Sequence, residues 1–353
     1  MYYRSLEAAL RKSYYGQGQF ISYYPGYEVV ELDGRYAIPR VLSSEEVANI
    51  PISQVADFRS DKEKLIMIFH PSIAHMLQDS FPMLAAYSEL HPDHQILLLS
   101  FTDDRMKIGG RENAFGTDLL HVSVDFLQSR GVEVFIIPPG TKLLTNKAHI
   151  MGTTNQLVLK SQNVMSAVDK ALEEISPGDP EASAKLYISR SRSLVRDYEF
   201  PEDDVNLILT DDRIFNEEAL EKVFEEMGFE IVYAEEFESF LDQLAKMRTA
   251  KVIAGVSGAG LSNFMLTSEK VANRLLVEIS TPIVIQSISN PGESEDSRFN
   301  QQADVTFHTP YWELANVLEG ATYISHSGVA NRNGAAVAHE IRQSPLFEFL
   351  KNY

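Results

Sequence analysis

Short apolar runs alternate with helical patterns along most of this chain, and that alternation restricts its fold more than any other feature. A run of about five apolar residues can form a strand buried on both faces, which requires helices to cover each side. In the first half, strands are expected at Leu65–Phe69, Gln95–Ser100 and Val132–Pro138, with helices over Ser72–Leu90 and Asp118–Ser129. In the second half, strands are expected at Lys185–Ser189, Glu230–Tyr233, Lys251–Val256 and Arg274–Ile279, with helices over Glu217–Met227 and Ser239–Arg248. Each half is thus its own strand–helix alternation of doubly wound type, with mainly parallel sheets. A chain of 353 residues has room for two such domains of about 150 residues.

The junction is legible. Ser161–Ile175 has a helical pattern, and Ser176-Pro-Gly-Asp-Pro180 breaks it with two prolines and a glycine. The expected division is an N-terminal domain over 1–160, a linker over 161–184 and a C-terminal domain over 185–330. Segments Ser289–Asn300 and His326–Asn333 read as polar loops. The end, 331–353, is expected to carry one amphipathic helix, Ala335–Leu350, with Val337, Ile341, Leu346 and Leu350 on its apolar side. That helix is expected to pack back on the N-terminal domain.

Composition removes several function classes. Cysteine is absent, which excludes disulfides, thiolate metal sites and cysteine nucleophiles. No stretch has the roughly 18 apolar residues of a membrane span, and Met1-Tyr-Tyr-Arg-Ser-Leu-Glu lacks the apolar core of a signal peptide. Together these favour a cytoplasmic setting. A net charge of −19 argues against a nucleic-acid partner. The charge is uneven: Asp197 to Asp242 holds 17 acidic residues against Arg213 and Lys222, a balance of −15. Just before it, Lys185, Arg190, Arg192 and Arg196 stand with no acid between them. Such a segment either holds a small anion or pairs with the acidic stretch as a solvated network.

Three segments carry chemistry. In Lys251-Val-Ile-Ala-Gly-Val-Ser-Gly-Ala-Gly-Leu-Ser-Asn263, a buried strand runs into Gly255, Gly258 and Gly260, and Leu261–Leu266 can start a helix. Glycines there let backbone N–H groups approach a phosphate at a helix N-terminus, or serve only tight packing. Ser257, Ser262 and Asn263 add hydrogen-bonding side chains. Lys185-Leu-Tyr-Ile-Ser-Arg190 puts Arg190 at the carboxyl end of a strand, where open α/β sheets bind ligands and a guanidinium suits phosphate. A surface pairing with Asp203, Asp204 or Asp211 is the alternative. His75 and Asp79 are four apart, on one helix face, as a base with its orienting partner, as two metal ligands or as a structural pair. Asp103-Asp104 reads as a solvated loop.

Taken in order, these segments resemble the family 61 glycosyltransferases, most strongly over Lys185–Pro282. The motifs that carry the resemblance are Ile188-Ser189-Arg190, Arg213…Asn216-Glu217, Gly228-Phe229-Glu230-Ile231-Val232, Ser239…Gln243, Ser257-Gly-Ala-Gly-Leu-Ser-Asn263 and Val277-Glu278-Ile279. His75…Asp79…Pro82 resembles a further motif of that family, more weakly. Ser257 departs from the family's loop histidine, and Asp197–Asp212 looks like an acidic insertion.

The resemblance implies the GT-B architecture, two Rossmann-like domains facing a central cleft. It implies an inverting, metal-independent glycosyltransferase with no cofactor beyond a nucleotide-sugar co-substrate, UDP-xylose or UDP-N-acetylglucosamine as first choices. The acceptor would be a glycan or glycoprotein, in surface-glycan synthesis of a microbe or virus. Asp79 and His75 are the implied catalytic residues, with no metal ligands. Arg190, Arg196, Asn216, Glu217, Ser257, Gly258, Ala259, Gly260, Leu261, Asn263 and Glu278 are the implied donor-binding set. Rival readings are a sugar-nucleotide epimerase, a pyruvyl transferase, or a catalytically silent nucleotide-sugar-binding module.

Overall fold

The computed structural model describes residues 14–23, 28–31, 37–38, 49, 52–69, 76–99, 107–108, 111–112, 114–138, 140–151, 162–191, 217–280, 283–285, 304–306, 314–316, 318–327 and 334–353. They divide into two units. The first comprises Met1–Gly178, Glu238–Arg248 and Val317–Glu319, and the second the rest. The main break follows Gly178, inside the proline- and glycine-rich stretch.

In the first unit the described strands are β1 (Tyr14–Tyr23), β2 (Glu28–Glu31), β3 (Ala37–Ile38), β4 (Gln54–Phe58), β5 (Lys64–Ile68), β6 (Gln95–Leu99), β7 (Lys107–Ile108), β8 (Arg111–Glu112), β9 (Glu133–Ile137) and β10 (Thr141–Met151). One sheet has the order β3-β2-β1-β10-β5-β6-β9, with β4 also paired to β10; β7 and β8 pair with each other. The strands expected from apolar runs, β5, β6 and β9, are parallel to one another and to β10. The sheet is mainly parallel, as expected, with β1, β2 and β3 antiparallel beyond β10. The covering helices are α1 (Phe81–Leu90), α2 (Ala114–Ser129) and α3 (Gln162–Ile175). A π-helical turn, Met76–Ser80, leads into α1, whose first turn holds Pro82.

Second-unit strands β11 (Ala184–Ser189), β12 (Glu230–Tyr233), β13 (Ala250–Val256), β14 (Arg274–Ser280) and β17 (Ala321–Ser327) form a wholly parallel sheet of order β12-β11-β13-β14-β17. The short strands β15 (Ile283–Ile285) and β16 (Asp304–Thr306) pair with each other. Its core follows the period of two: Val252, Ala254 and Val256 on β13, and Leu275, Val277 and Ile279 on β14, lie in one cluster. Leu220, Val223 and Phe224 of helix α4 (Glu218–Glu226) cover that face.

Helix α5 (Phe240–Arg248) follows β12 in sequence yet belongs to the first unit. There the buried Arg248 donates to Asp169 at 2.8 Å, to Ser176 O at 3.1 Å and to Glu173. A buried guanidinium held by two carboxylates fixes α5 on α3; removing one partner of such a set leaves an uncompensated charge.

The chain end corrects two expectations. The single helix over Ala335–Leu350 is two, α6 (Gly334–Gln343) and α7 (Pro345–Asn352), because Pro345 can open a helix but cannot continue one. Val337, Ala338, Ile341 and Leu350 of these helices join the second unit's core. Likewise His326, expected in a loop, lies in β17.

Candidate functional site

The order of the second sheet decides where its ligand crevice lies. From β11 the chain moves outward to β12, then returns to place β13 on the opposite side of β11. The connections leaving β11 and β13 therefore diverge, which makes their carboxyl ends the topological switch point where open α/β sheets bind ligands. Arg190 follows β11, and Ser257–Gly260 follow β13. Two segments 67 to 70 residues apart in sequence thus meet at one place.

The three glycines divide the two roles left open by the sequence. A Cβ on Gly255 would stand 3.0 Å from Ile188 O and 3.3 Å from Leu261, and one on Gly260 would stand 3.0 Å from Ile188 Cγ2. Those two allow the loop to press against β11. Gly258 is different. Its φ of +148° and ψ of −179° lie in a region essentially confined to glycine. A Cβ there would collide with Nη1 of Arg190. Gly258 is the seat on which the guanidinium lies.

After Gly258 the chain forms a 3-10 helix, Ala259–Leu266, where the sequence offers a helix start. Its first bond is Leu261 N–H to Gly258 O, 3.0 Å. The amides of Ala259 and Gly260 therefore stand ahead of the helical bonds, beside Arg190's seat. Leu261 is core: its side chain is fully buried and its N–H is engaged within the turn. Asn263 is also buried and donates from Nδ2 to Gly260 O at 2.8 Å, which braces the turn from behind.

Ser257 is tied to the neighbouring strand twice. Its N–H donates to Ile279 O at 3.0 Å, and its hydroxyl donates to Glu278 Oε1. The other carboxylate oxygen, Oε2, accepts from the Tyr323 hydroxyl. Glu278 is fully buried between these groups. Burial pushes its carboxyl above the ordinary 4.5, and the two hydroxyl donors pull in the opposite direction without prevailing. A raised folded-state value contributes stability that is present below the unfolded value and lost as pH rises through the folded one. Glu278→Gln is neutral throughout, so the stability of the native protein relative to this variant is expected to be greatest in acid and to shrink towards neutrality. Urea unfolding at a series of pH values measures that difference. A difference that grows as pH rises would contradict the assignment.

Glu217 precedes α4 and is 2% exposed; it accepts from the Tyr187 hydroxyl at 3.1 Å. Burial and this carboxylate together raise the Tyr187 hydroxyl well above its usual range, so it stays a donor. One turn further on, Glu221 was not singled out by the sequence. It accepts from Ser189 Oγ at 2.6 Å, from Ser191 Oγ and from the Tyr233 hydroxyl at 3.2 Å. Nothing in local sequence distinguishes Glu221 within an acidic stretch. Only the parallel pairing of Ser189 with Tyr233 brings its partners together.

In the first unit, the backbone of Asp79 lies in the π-helical turn after β5, flanked by buried Gln78 and Ser80. Turns of this kind recur at functional sites. His75, Arg196 and Asn216 lie outside the described residues. Among the described residues, no helix is long and apolar enough to cross a membrane.

Compared with known proteins, residues 73–272 match the family model described as Glycosyltransferase 61. No curated protein matches the chain. The matched range holds the π-helical turn, Arg190, α4 and the glycine-rich loop, and stops before Glu278.

Proposed function

This chain belongs to the glycosyltransferase 61 family, and we propose that it moves a sugar from a nucleotide-diphosphate donor to a glycan acceptor, with inversion and without a metal ion. The observation that carries this reading is the guanidinium of Arg190 seated on Gly258 at the switch point, beside the amides of Ala259 and Gly260. A departing diphosphate needs positive charge and hydrogen-bond donors where its negative charge develops. A guanidinium supplies fixed charge and paired donors in one group. In this reading Ser257, Arg196 and Asn216 add contacts to the donor. Leu261, Asn263, Glu217 and Glu278 hold the surrounding turns.

The two units correspond to the two Rossmann-like domains of a GT-B enzyme, acceptor on the first and donor on the second. Asp79 takes the proton of the acceptor hydroxyl as its oxygen bonds to the anomeric carbon, while the bond from that carbon to the diphosphate oxygen breaks. Inverting glycosidases use a carboxylate base against the same oxocarbenium-like transition state. His75 orients Asp79 or contacts the sugar. UDP-xylose and UDP-N-acetylglucosamine are the first donors to try, and a microbial or viral surface glycan is the context.

The test is a thermal-shift screen of nucleoside diphosphates and their sugars, followed by a transfer assay with the donor it selects, each with and without a chelator. A ligand that binds only the folded state raises its apparent stability. Binding and transfer that persist in chelator are expected. Abolition of transfer by chelator would remove the metal-free mechanism, and the absence of any nucleotide response would remove the donor site.

A further inference from the structure

The proposed donor site depends on an arginine whose own backbone sits in a turn, and a turn needs something to hold it. Arg190 is flanked by Ser189, the last residue of β11, and Ser191. The Ser191 N–H donates to Ser189 Oγ at 3.0 Å, closing a serine turn around the arginine. The hydroxyls on both sides then converge on one acceptor, Oε1 of Glu221, with Ser189 at 2.6 Å. The second oxygen, Oε2, is held by Tyr233 OH at the end of β12. One carboxylate in the first turn of α4 therefore ties the residues before and after Arg190 to the neighbouring strand. Arg190 itself reaches the other way, across the switch point to Gly258.

We propose that Glu221 is a positioning residue for Arg190: it clamps the Ser189-Arg190-Ser191 turn so that the guanidinium stays seated on Gly258. This rests on the donor site proposed above. The clamp needs one oxygen that accepts two hydroxyls at once and a second polar atom for Tyr233, and the Glu221 carboxylate supplies both. Glutamine can keep that double acceptor while its amide turns to Tyr233, whereas alanine removes all three bonds.

Two readouts separate the clamp from general stability and from the donor site. In the full chain labelled with 15N-arginine, the Arg190 Nε–H resonance, assigned through Arg190→Lys, reports the guanidinium without any ligand. Glu221→Ala is expected to shift or broaden it, and Glu221→Gln to leave it near its native position. With UDP as the probe, Glu221→Ala should weaken binding roughly tenfold, in keeping with loss of charge-assisted hydrogen bonds, and should add little in an Arg190→Ala background. Ser191→Ala, which removes one of the three bonds, gives a smaller change in the same direction and guards against misfolding of the harsher variant. An unmoved Arg190 resonance in both Glu221→Ala and Ser191→Ala overturns the clamp. A moved resonance with unchanged UDP binding keeps the clamp and overturns the donor site instead.

Discussion

Asp79→Asn is expected to lower sugar transfer about 10²–10⁴-fold, the range a positioned general base supplies, while donor binding stays near native. The substitution keeps the size and shape of the side chain and removes only the group that can accept the hydroxyl proton. Its backbone setting favours an undisturbed fold. The π-helical turn Met76–Ser80 is anchored by Leu77 at 1% and Ser80 at 2% exposure and continues into the buried α1. The turn also lies beyond the carboxyl end of β5, a parallel strand, the end at which such sheets place reactive groups. Transfer rates at saturating donor, read beside thermal shifts with the donor nucleotide, check both halves of this expectation. A variant that transfers at near-native rate shows that the base is another group. One that also loses nucleotide binding shows that Asp79 acts on the donor.

Strands buried on both faces were legible because a continuous apolar run has few other uses. Lys64–Ile68, Gln95–Leu99 and Arg274–Ser280 stand within a residue or two of where the sequence placed them. Strand β10 was not legible, and the reason is visible in its residues. Its buried positions alternate through Thr141, Leu143 and Thr145, two of them polar, and then Lys147 with φ of +48° shifts the alternation to Ala148 and Ile150. A period of two interrupted by one residue, with threonines on the buried side, leaves no apolar signature. Strand β17 is an edge strand carrying Thr322, Ser325 and His326, and its polar residues give it a loop-like sequence.

The site was legible as segments and not as an arrangement. Arg190 and the glycine loop could each be selected from sequence, but a packing role and a ligand role were equally open for every glycine. Only the third dimension assigns Gly255 and Gly260 to Ile188 and Gly258 to Arg190. The supporting acids show the same limit. Glu278 was picked out by its motif, yet its bond to Tyr323 joins residues 45 apart. Glu221 was one of many acids in a charged stretch.

Gly258→Ala is the sharpest probe of that arrangement, and it is expected to cost about as much transfer as Arg190→Ala, roughly 10²–10³-fold by comparison with loss of other groups that stabilise developing charge. Two effects of a single methyl group add. Alanine at φ +148° is strained by about 1–3 kcal/mol, and its Cβ occupies the space of the guanidinium, which must leave its seat. The second effect needs Arg190 and the first does not. In an Arg190→Ala background, Gly258→Ala should therefore retain only the backbone part of its cost, and the double variant should fall well short of the product of the two single losses. Transfer rates and UDP affinities for all four proteins give the coupling directly. Losses that multiply in full would mean that the glycine and the arginine serve separate purposes, and the cradle formed by the two would no longer explain how a diphosphate is held.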